Sequence, residues 1–342
     1  MELNHILLFL AVVSPLVVLA SAWRPGPTYS GWRLAALAVL AITGLAWLFF
    51  RQKAGYIGGA AWFVLLFLPA IGMRRVVELS ARQQYKTARK VATALMFLHP
   101  SSDLRHQGEL LRTLESRQNA GLISSSSFQP IPRKSRFQRL RDAPAVFALI
   151  LINLAAFIPA IPHGQWNEFT ALHRLGALEP YAIFWNHEYW RLFTSLFLHA
   201  GWIHLLFNLF ALFVLGPPLE RAIGTARFLV CYLVSGLGST TGVVALWMAH
   251  LTDPGQLVGA SGCIMGIVGA WAGYLLRHRH IPLARQRLWN VVMIVAIQVA
   301  FDRLTPQVSM SAHLCGLVTG FVVGLVIARG RGGSPLGAPR PH

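Results

Sequence analysis

Long apolar stretches separated by short polar ones dominate the pattern of this chain. Three lie before residue 73 and contain no Asp, Glu, Lys or Arg, and six more follow residue 144. A helix needs about 20 apolar residues to cross a bilayer. Lipid offers the backbone no hydrogen-bond partners, so a spanning segment must form a helix or a strand of a closed barrel. The pattern predicts membrane helices at 5–22, 34–50, 56–72, 145–161, 202–215, 228–249, 261–276, 289–301 and 313–328.

The stretch between residues 73 and 144 is polar and strongly basic. Apolar residues at helical spacing predict one helix from Arg74 to Leu98 and a second, shorter one capped by Ser101 or Ser102. A basic linker rich in Ser and Pro follows at 122–144. These two helices form either a hairpin that packs near the lipid headgroups or a module that docks another protein.

Four regions follow from this pattern. Residues 1–72 are predicted to form N-terminal transmembrane segments, and 73–144 a basic helical cytoplasmic segment with its linker. Residues 145–329 form a six-helix core, and 330–342 a disordered basic tail. We therefore predict an all-α polytopic membrane protein whose core follows about three extra transmembrane helices.

Composition supports the membrane assignment. The 342 residues are 55% hydrophobic and 12% charged, with a mean hydropathy of +0.52, whereas soluble domains have about 25% charged residues. The net charge of +18 does not indicate nucleic acid binding, because many basic residues flank membrane segments, where they favour cytoplasmic loops and anionic lipid headgroups. The three cysteines form no CxxC pair, so we expect no metal, no disulfide framework and no cofactor.

The positions of the basic residues orient the core. If the basic run 133–141 is cytoplasmic, the basic stretches 220–227 and 277–287 and the C-terminal tail also lie inside, as the positive-inside rule requires. Arg51 and Lys53 do not fit this orientation if all three early segments span. We expect a multi-pass protein of the bacterial inner membrane whose site opens toward the extracytoplasmic side.

This topology brings four polar residues to one level. Ser261 and His313 each open an apolar helix that runs from outside to inside, so both lie a short way below the outer surface. His204 and Asn208 lie early in a third such helix, four residues apart and therefore on one face. Several core segments are shorter than a full span, which predicts a cavity that water enters from one side.

Glycines at spacings of three and four follow both Ser261 and His313. Small residues on one face of a membrane helix let a second backbone come very close. We expect the two glycine faces to pack together and to bring Ser261 and His313 within hydrogen-bond reach. The glycines concerned are Gly259, Gly262, Gly266, Gly269 and Gly273 in one segment, and Gly316, Gly320 and Gly324 in the other.

The four polar residues suit acyl transfer. A serine hydroxyl is a weak nucleophile until a base takes its proton, and His313 can act as that base. The N-terminus of the Ser261 helix, with His204 and Asn208, can supply donors to an oxyanion. Each of these residues, considered alone, could instead serve only in packing between helices. His199 and His204 are poorly spaced to share a metal ion, because i and i+5 do not share a helical face well.

Several short motifs follow one another between about residues 145 and 328. They include Trp190-Arg191, the run HAGWIHLLFN at 199–208, Glu220-Arg221 with Gly224, Gly259-Ala260-Ser261-Gly262, and Ala312-His313 with Gly316 and Gly320. In this order and spacing they resemble the rhomboid family of intramembrane serine proteases. The resemblance implies a dyad of the nucleophile Ser261 and the base His313, with no third acid. It implies an oxyanion hole formed by the Ser261 amide, His204 and Asn208.

The resemblance also assigns supporting roles. Gly259, Gly262, Met265 and His199 would support the site, and Trp190, Arg191, Glu220, Gly316 and Gly320 would be structural. The segment 162–189 would be a loop half-embedded in the outer leaflet, and 289–301 a lateral gate for substrates. Substrates would be transmembrane proteins cut near their extracytoplasmic end at a small residue.

Two other functions stay open. Met265 stands where an aromatic residue commonly packs against the catalytic histidine, although a methionine can still contact an imidazole. A catalytically weak or inactive relative that binds transmembrane helices is one alternative, against which the retained Ser261 and His313 argue. A transporter is another, although the sequence lacks paired intramembrane carboxylates and a clear repeat. The front third of the chain gains no function from the resemblance.

Overall fold

The computed structural model describes residues 3–21, 30–98, 102–120, 122, 142–159, 169–253, 255–280, 283–305 and 308–328. The chain divides into two compact units, residues 1–133 and 134–342. The tail 330–342, most of the linker and the possible cap at Ser101 lie outside the described residues. The four-region division and its boundaries stay a prediction.

The first unit begins with a small helical cluster in which close approach depends on glycine. A methyl group on Gly55 would overlap the Asn4 carbonyl of the first helix, so the backbones of the two helices are in direct contact. The helices of this unit are α1 (Leu3–Ser21), α2 (Ser30–Phe49), α3 (Ala54–Trp62), α4 (Leu68–Ala81), α5 (Tyr85–Leu98) and α6 (Ser102–Asn119).

Pro69 explains a distortion between α3 and α4. Residues Phe63–Phe67 form one turn of π-helix, and the Leu68 amide donates to the Phe63 carbonyl, five residues back. Proline has no amide hydrogen and its ring crowds the preceding turn, so the turn before it widens. Pro69 is thus accommodated by a π-helical turn within a continuous helical stretch, Arg51–Ala81.

The basic segment has an apolar core of its own, formed by the second half of α4 with α5 and α6. The prediction of one helix from Arg74 to Leu98 is wrong, because the chain turns at 82–84, where Gln83 has a φ of +57°. The turn lets the apolar faces of three short helices meet. Their buried residues are Val76, Leu79, Ala88, Ala92, Leu95, Leu104 and Leu111.

The second unit holds the six long core helices and three short ones in its described part. The long helices are α7 (Pro144–Phe157), α11 (Trp202–Ile223), α12 (Thr225–Met248), α13 (Ser261–Arg277), α14 (Ala284–Leu304) and α15 (Met310–Ile327). The short helices, α8 (Phe169–Leu175), α9 (Pro180–Asn186) and α10 (Arg191–Thr194), all lie between α7 and α11.

Two core helices are longer than the sequence predicted. Helix α11 continues past residue 215 through Pro217 and Pro218, because neighbouring helices in a membrane protein can compensate for the backbone bonds that proline removes. Helix α14 runs from Ala284 to Leu304 and so includes Asp302, which lies one residue beyond the predicted segment 289–301. The expected short spans at 202–215 and 289–301 are therefore wrong, whereas α13 has only 17 residues.

Helix α13 lies at the centre of the core. Eleven of its 17 residues are buried, so protein and not lipid surrounds most of it. Its glycine face packs directly on α15: a methyl group on Gly316, Gly320 or Gly324 would overlap the backbone of α13. The predicted packing of the two glycine faces is confirmed.

Helix α14 is far more loosely held. Of its 21 residues, only Ala284, Val291 and Asp302 are buried. Apolar side chains such as Trp289 and Val292 are about half exposed. This exposure is expected of a helix that faces lipid along most of its length.

The chain is an all-α, polytopic integral membrane protein. Within the described residues, five helical stretches are long and apolar enough to cross a membrane, and they remain mostly exposed within the protein itself. Lipid is the solvent that suits their apolar outer faces. These stretches are Gly31–Phe49, Arg51–Ala81, Trp202–Ile223, Thr225–Met248 and Met310–Ile327.

Candidate active site

Ser261 is the first residue of α13, and the loop before it is anchored at three points. Leu178 and Leu257 exchange two backbone hydrogen bonds of 2.9 Å each. Gln256 donates to the Glu179 carboxylate at 2.7 Å, and the Gly259 amide donates to the Ser195 carbonyl at 2.9 Å. These contacts fix the approach to Ser261 on both sides of the loop.

Gly259 is required both by its conformation and by its surroundings. Its φ of +124° lies in a region that residues with a side chain rarely adopt. A methyl group there would lie 2.8 Å from Cε1 and Nε2 of His204 and 3.6 Å from Nδ2 of Asn208. The structure therefore places the polar ends of His204 and Asn208 against the backbone two residues before Ser261.

His204 and Asn208 lie one turn apart on α11, as their spacing predicted. The Asn208 amide donates one bond to the His204 carbonyl at 3.1 Å, which orients the side chain. An amide nitrogen carries two donors, so a second remains for another acceptor. The backbone amides in the first turn of α13, including that of Ser261, have no partner within the helix. Donors of three kinds therefore surround the start of α13.

His313 lies in the first turn of α15. Ser309 caps this helix by accepting a bond from the Ala312 amide at 3.2 Å. Ser239 of α12 donates to the Ala312 carbonyl at 2.6 Å, which fixes the residue beside His313. The side chain of His313 is buried, with 4% of its surface exposed.

An acidic side chain accompanies His313. Its Nδ1 atom lies 2.8 Å from Oδ2 of Asp302, and both side chains are almost completely buried. Gln298, one turn earlier on α14, donates to the other oxygen of Asp302 at 2.8 Å. The expectation that no third acid contacts the histidine is therefore wrong.

The sequence contained a signal for this contact. Asp302 is the only acidic residue after Asp253, and Gln298 stands four residues before it. An acidic residue near a membrane helix is a functional candidate by default. Asp302 lies one residue beyond the predicted apolar segment 289–301, so hydropathy alone does not include it in the helix.

His199 and Met265 are both buried next to the site. The His199 ring meets that of His204 edge to face, with centroids 5.2 Å apart, and its Nδ1 lies 3.2 Å from the Phe197 carbonyl. The His199 ring thus packs directly against that of His204. Met265 is 5% exposed on α13, one turn after Ser261.

The Trp190-Arg191 pair organises the segment between α7 and α11. The buried Arg191 guanidinium donates to the carbonyls of His173 at 2.8 Å and Ala177 at 3.0 Å, and it pairs with the Glu188 carboxylate. The Trp190 ring lies 4.7 Å from the guanidinium carbon. The hydrogen bond from Arg191 holds the pKa of Glu188 below its usual value. These contacts of Arg191 tie the start of α10 to the end of α8 and the residues that follow it.

Glu220 joins two core helices. Its carboxylate accepts bonds from the Ala145 amide at 2.9 Å and the Val146 amide at 3.0 Å, at the start of α7. It also accepts a bond from the Thr225 hydroxyl at 3.0 Å. A carboxylate at a helix N-terminus bonds free amides and complements the helix dipole, so this buried acid stabilises the core.

Comparison with known proteins identifies the family. The rhomboid domain matches residues 186–330. The rhomboid relative YdcA of Bacillus subtilis (strain 168) is 32% identical over 198 residues, which cover 56% of this chain and 92% of YdcA. Rhomboid protease AarA of Providencia stuartii is 29% identical over 217 residues, or 57% of this chain and 76% of AarA. Rhomboid protease GluP of Bacillus subtilis (strain 168) is 32% identical over 205 residues, although the chain covers only 39% of GluP. The chain therefore belongs to the rhomboid family of intramembrane serine proteases.

Proposed function

We propose that this enzyme cleaves transmembrane segments with Ser261 as the nucleophile and His313 as the general base. Ser261 Oγ attacks the scissile carbonyl carbon while a ring nitrogen of His313 takes the hydroxyl proton. The protonated histidine then gives that proton to the leaving amine, and an acyl-enzyme forms. Water, activated by the same histidine, attacks the ester and releases the second product.

The observation that carries this proposal is the backbone contact between α13 and α15. Gly316 lies one turn after His313, and Gly262 lies directly after Ser261. A methyl group on Gly316 would overlap the Gly262 carbonyl oxygen, so the first turns of the two helices lie side by side. Because Asp302 occupies Nδ1 of His313, Nε2 is the ring nitrogen that remains for Ser261.

The oxyanion is proposed to bind at the Ser261 amide, His204 and Asn208. A methyl group on Gly259 would lie close to both His204 and Asn208, so these two side chains lie against the loop just before α13. Their position supports this role. Donors that are already in place when negative charge develops contribute more than donors that must move. We expect each of them to stabilise the tetrahedral intermediate.

Substrates are proposed to be cut near their extracytoplasmic end, at a small residue that lets the helix unwind. The distribution of basic residues supports this orientation, since the positive-inside rule is met when the starts of α13 and α15 lie on the outer side. We propose α14 as the lateral gate, because it is the core helix with few buried residues along its length. A bacterial inner membrane and contact with anionic lipid complete the proposal, which requires no metal, cofactor or nucleic acid.

Cleavage of a single-span model substrate in liposomes tests the proposal. Ser261→Ala and His313→Ala should each abolish cleavage while the protein stays folded. Ser235→Ala is a matched control, because Ser235 is a buried serine of α12 whose hydroxyl has no hydrogen-bond partner among the described atoms. Cleavage by Ser261→Ala at the rate of the control would contradict the assigned nucleophile. Substrate binding without cleavage by the wild type would instead support the inactive-relative alternative.

A further inference from the structure

Asp302 reaches the catalytic histidine from a different helix. It lies near the C-terminal end of α14, whereas His313 lies near the start of α15. The side chain of Asp302 is fully buried, and that of His313 is 5% exposed. Water therefore solvates neither the carboxylate nor Nδ1 of the ring at their point of contact.

Burying a carboxylate is costly unless hydrogen bonds replace its water. Asp302 receives such bonds at both oxygens: Gln298 donates to Oδ1 at 2.8 Å, and His313 Nδ1 lies 2.8 Å from Oδ2. An ionised carboxylate can only accept, so the proton of a neutral His313 ring must reside on Nδ1. The lone pair is then on Nε2, where a general base needs it.

Gln298 does not compete for the ring. Its Nε2 atom lies 3.3 Å from His313 Nδ1, but two donors cannot bond each other. One of its two amide hydrogens bonds Oδ1 of Asp302, and the spacing of four residues puts both side chains on one face of α14. The amide holds the carboxylate in the orientation that faces the ring.

We propose that Asp302 is a positioning residue for the protease reaction. It fixes the tautomer and orientation of His313, and it stabilises the ring when the ring becomes protonated during acylation. This inference rests on the proposed roles of Ser261 and His313. The competing interpretation is that Asp302 only joins the end of α14 to α15.

Asp302→Asn tests the proposal, because the amide keeps the shape of the side chain but can donate to Nδ1 and force the proton onto Nε2. In another serine protease the equivalent change lowers kcat about 10⁴-fold. We expect a fall of about 10²–10⁴-fold in kcat here, with KM changed less than about twofold. Asp302→Glu, which restores an acid, should recover part of the lost rate.

Controls separate positioning from structure. Thr305→Val changes a buried polar residue at the same helix end and should leave kcat and KM close to wild type. Gln298→Ala should lower kcat less than Asp302→Asn does. A small fluorophosphonate should label Ser261 in Asp302→Asn more slowly than in wild type, by about the same factor as the fall in kcat. Such a probe does not need the gate to admit a substrate helix, so its rate reports on Ser261 and His313 alone.

The outcomes separate this inference from the proposed function. If Ser261→Ala and His313→Ala are inactive but Asp302→Asn keeps the wild-type kcat, Asp302 only joins the helices and the inference is wrong. If Asp302→Asn does not fold, nitrogen-15 NMR of the Ser261→Ala protein still decides the question. A neutral His313 ring that carries its proton on Nδ1 supports the inference, and one that carries it on Nε2 overturns it.

Discussion

Gly316 and Gly262 are in direct backbone contact: a methyl group on Gly316 would overlap the carbonyl oxygen of Gly262. The same relation repeats one turn further on, where Gly320 lies against the Gly266 carbonyl. Close approach of this kind replaces the hydrophobic effect as a source of stability between membrane helices. Here it also determines how near Ser261 and His313 can come.

Enlarging Gly316 or Gly320 to valine should separate α13 from α15. The backbone atoms that a side chain would meet cannot move aside as a flexible side chain could. We expect a loss of about 1–3 kcal/mol in the free energy of unfolding, as for other overpacked cores, and a large loss of cleavage. Thermal unfolding and cleavage in liposomes measure the two effects.

Gly44→Ala is the control for this prediction. A methyl group on Gly44 meets no atom within 4 Å, and alanine favours a helix over glycine by up to about 1 kcal/mol. This variant should be as active and at least as stable as wild type. Wild-type activity of both Gly316→Val and Gly320→Val would show that the contact does not set the site.

Gly259→Ala should inactivate the enzyme without a comparable loss of stability. Alanine is strained at a φ of +124°, and its methyl group would displace His204. Loss of one oxyanion donor costs about 10²–10³-fold in kcat, which is the fall we expect. Gly255→Ala, in the same loop but with open space around it, should retain wild-type kcat. Equal activity of the two variants would argue against the placement of His204.

Asn208→Ala should lower kcat with little effect on KM. The amide is expected to bond the oxyanion only when it forms, so its loss should affect the transition state and not substrate binding. We expect a fall of about 10²–10³-fold in kcat. A change confined to KM would indicate that Asn208 contacts the bound substrate helix instead.

Glu188 gives the segment before α11 a dependence on pH. In the folded protein, a hydrogen bond from Arg191 lowers the pKa of Glu188 below its ordinary value of 4.5. An acid whose pKa is lower in the folded than in the unfolded protein stabilises the fold at pH values above its unfolded pKa. This stabilisation is lost as the pH falls through its folded pKa. Glu188→Gln should therefore have a lower Tm than wild type at neutral pH, and the difference should vanish well below pH 4.5. A constant difference across that range would show that the carboxylate charge plays no part.

Hydropathy and glycine spacing predicted the elements that lipid and close packing dictate. The start of α13 at Ser261 was predicted, whereas α15 begins at Met310, three residues before the predicted start at His313. The glycine spacing of both segments predicted the contact between their faces. The turn at Gln83 could not be predicted, because glutamine carries no local preference for a positive φ and packing of three short helices imposes it.

Side-chain contacts between segments were harder to predict. The continuation of α11 through Pro217 and Pro218 depends on neighbouring helices that the local pattern does not contain. The contact between Asp302 and His313 depends on how α14 ends against α15, although the lone acid was visible in the sequence. Motif residues such as Glu220 and Arg191 were recognised by resemblance, whereas their partners became known only from the structure.

We claim that His313 activates Ser261, and covalent labelling can measure this activation. The folded wild-type protein is treated with a fluorophosphonate, and the modified peptide is identified by mass spectrometry. We predict a single adduct on Ser261 that disappears in His313→Ala and persists in Ser235→Ala. An unlabelled Ser261 in an actively cleaving enzyme, or labelling at the wild-type rate in His313→Ala, would contradict the claim.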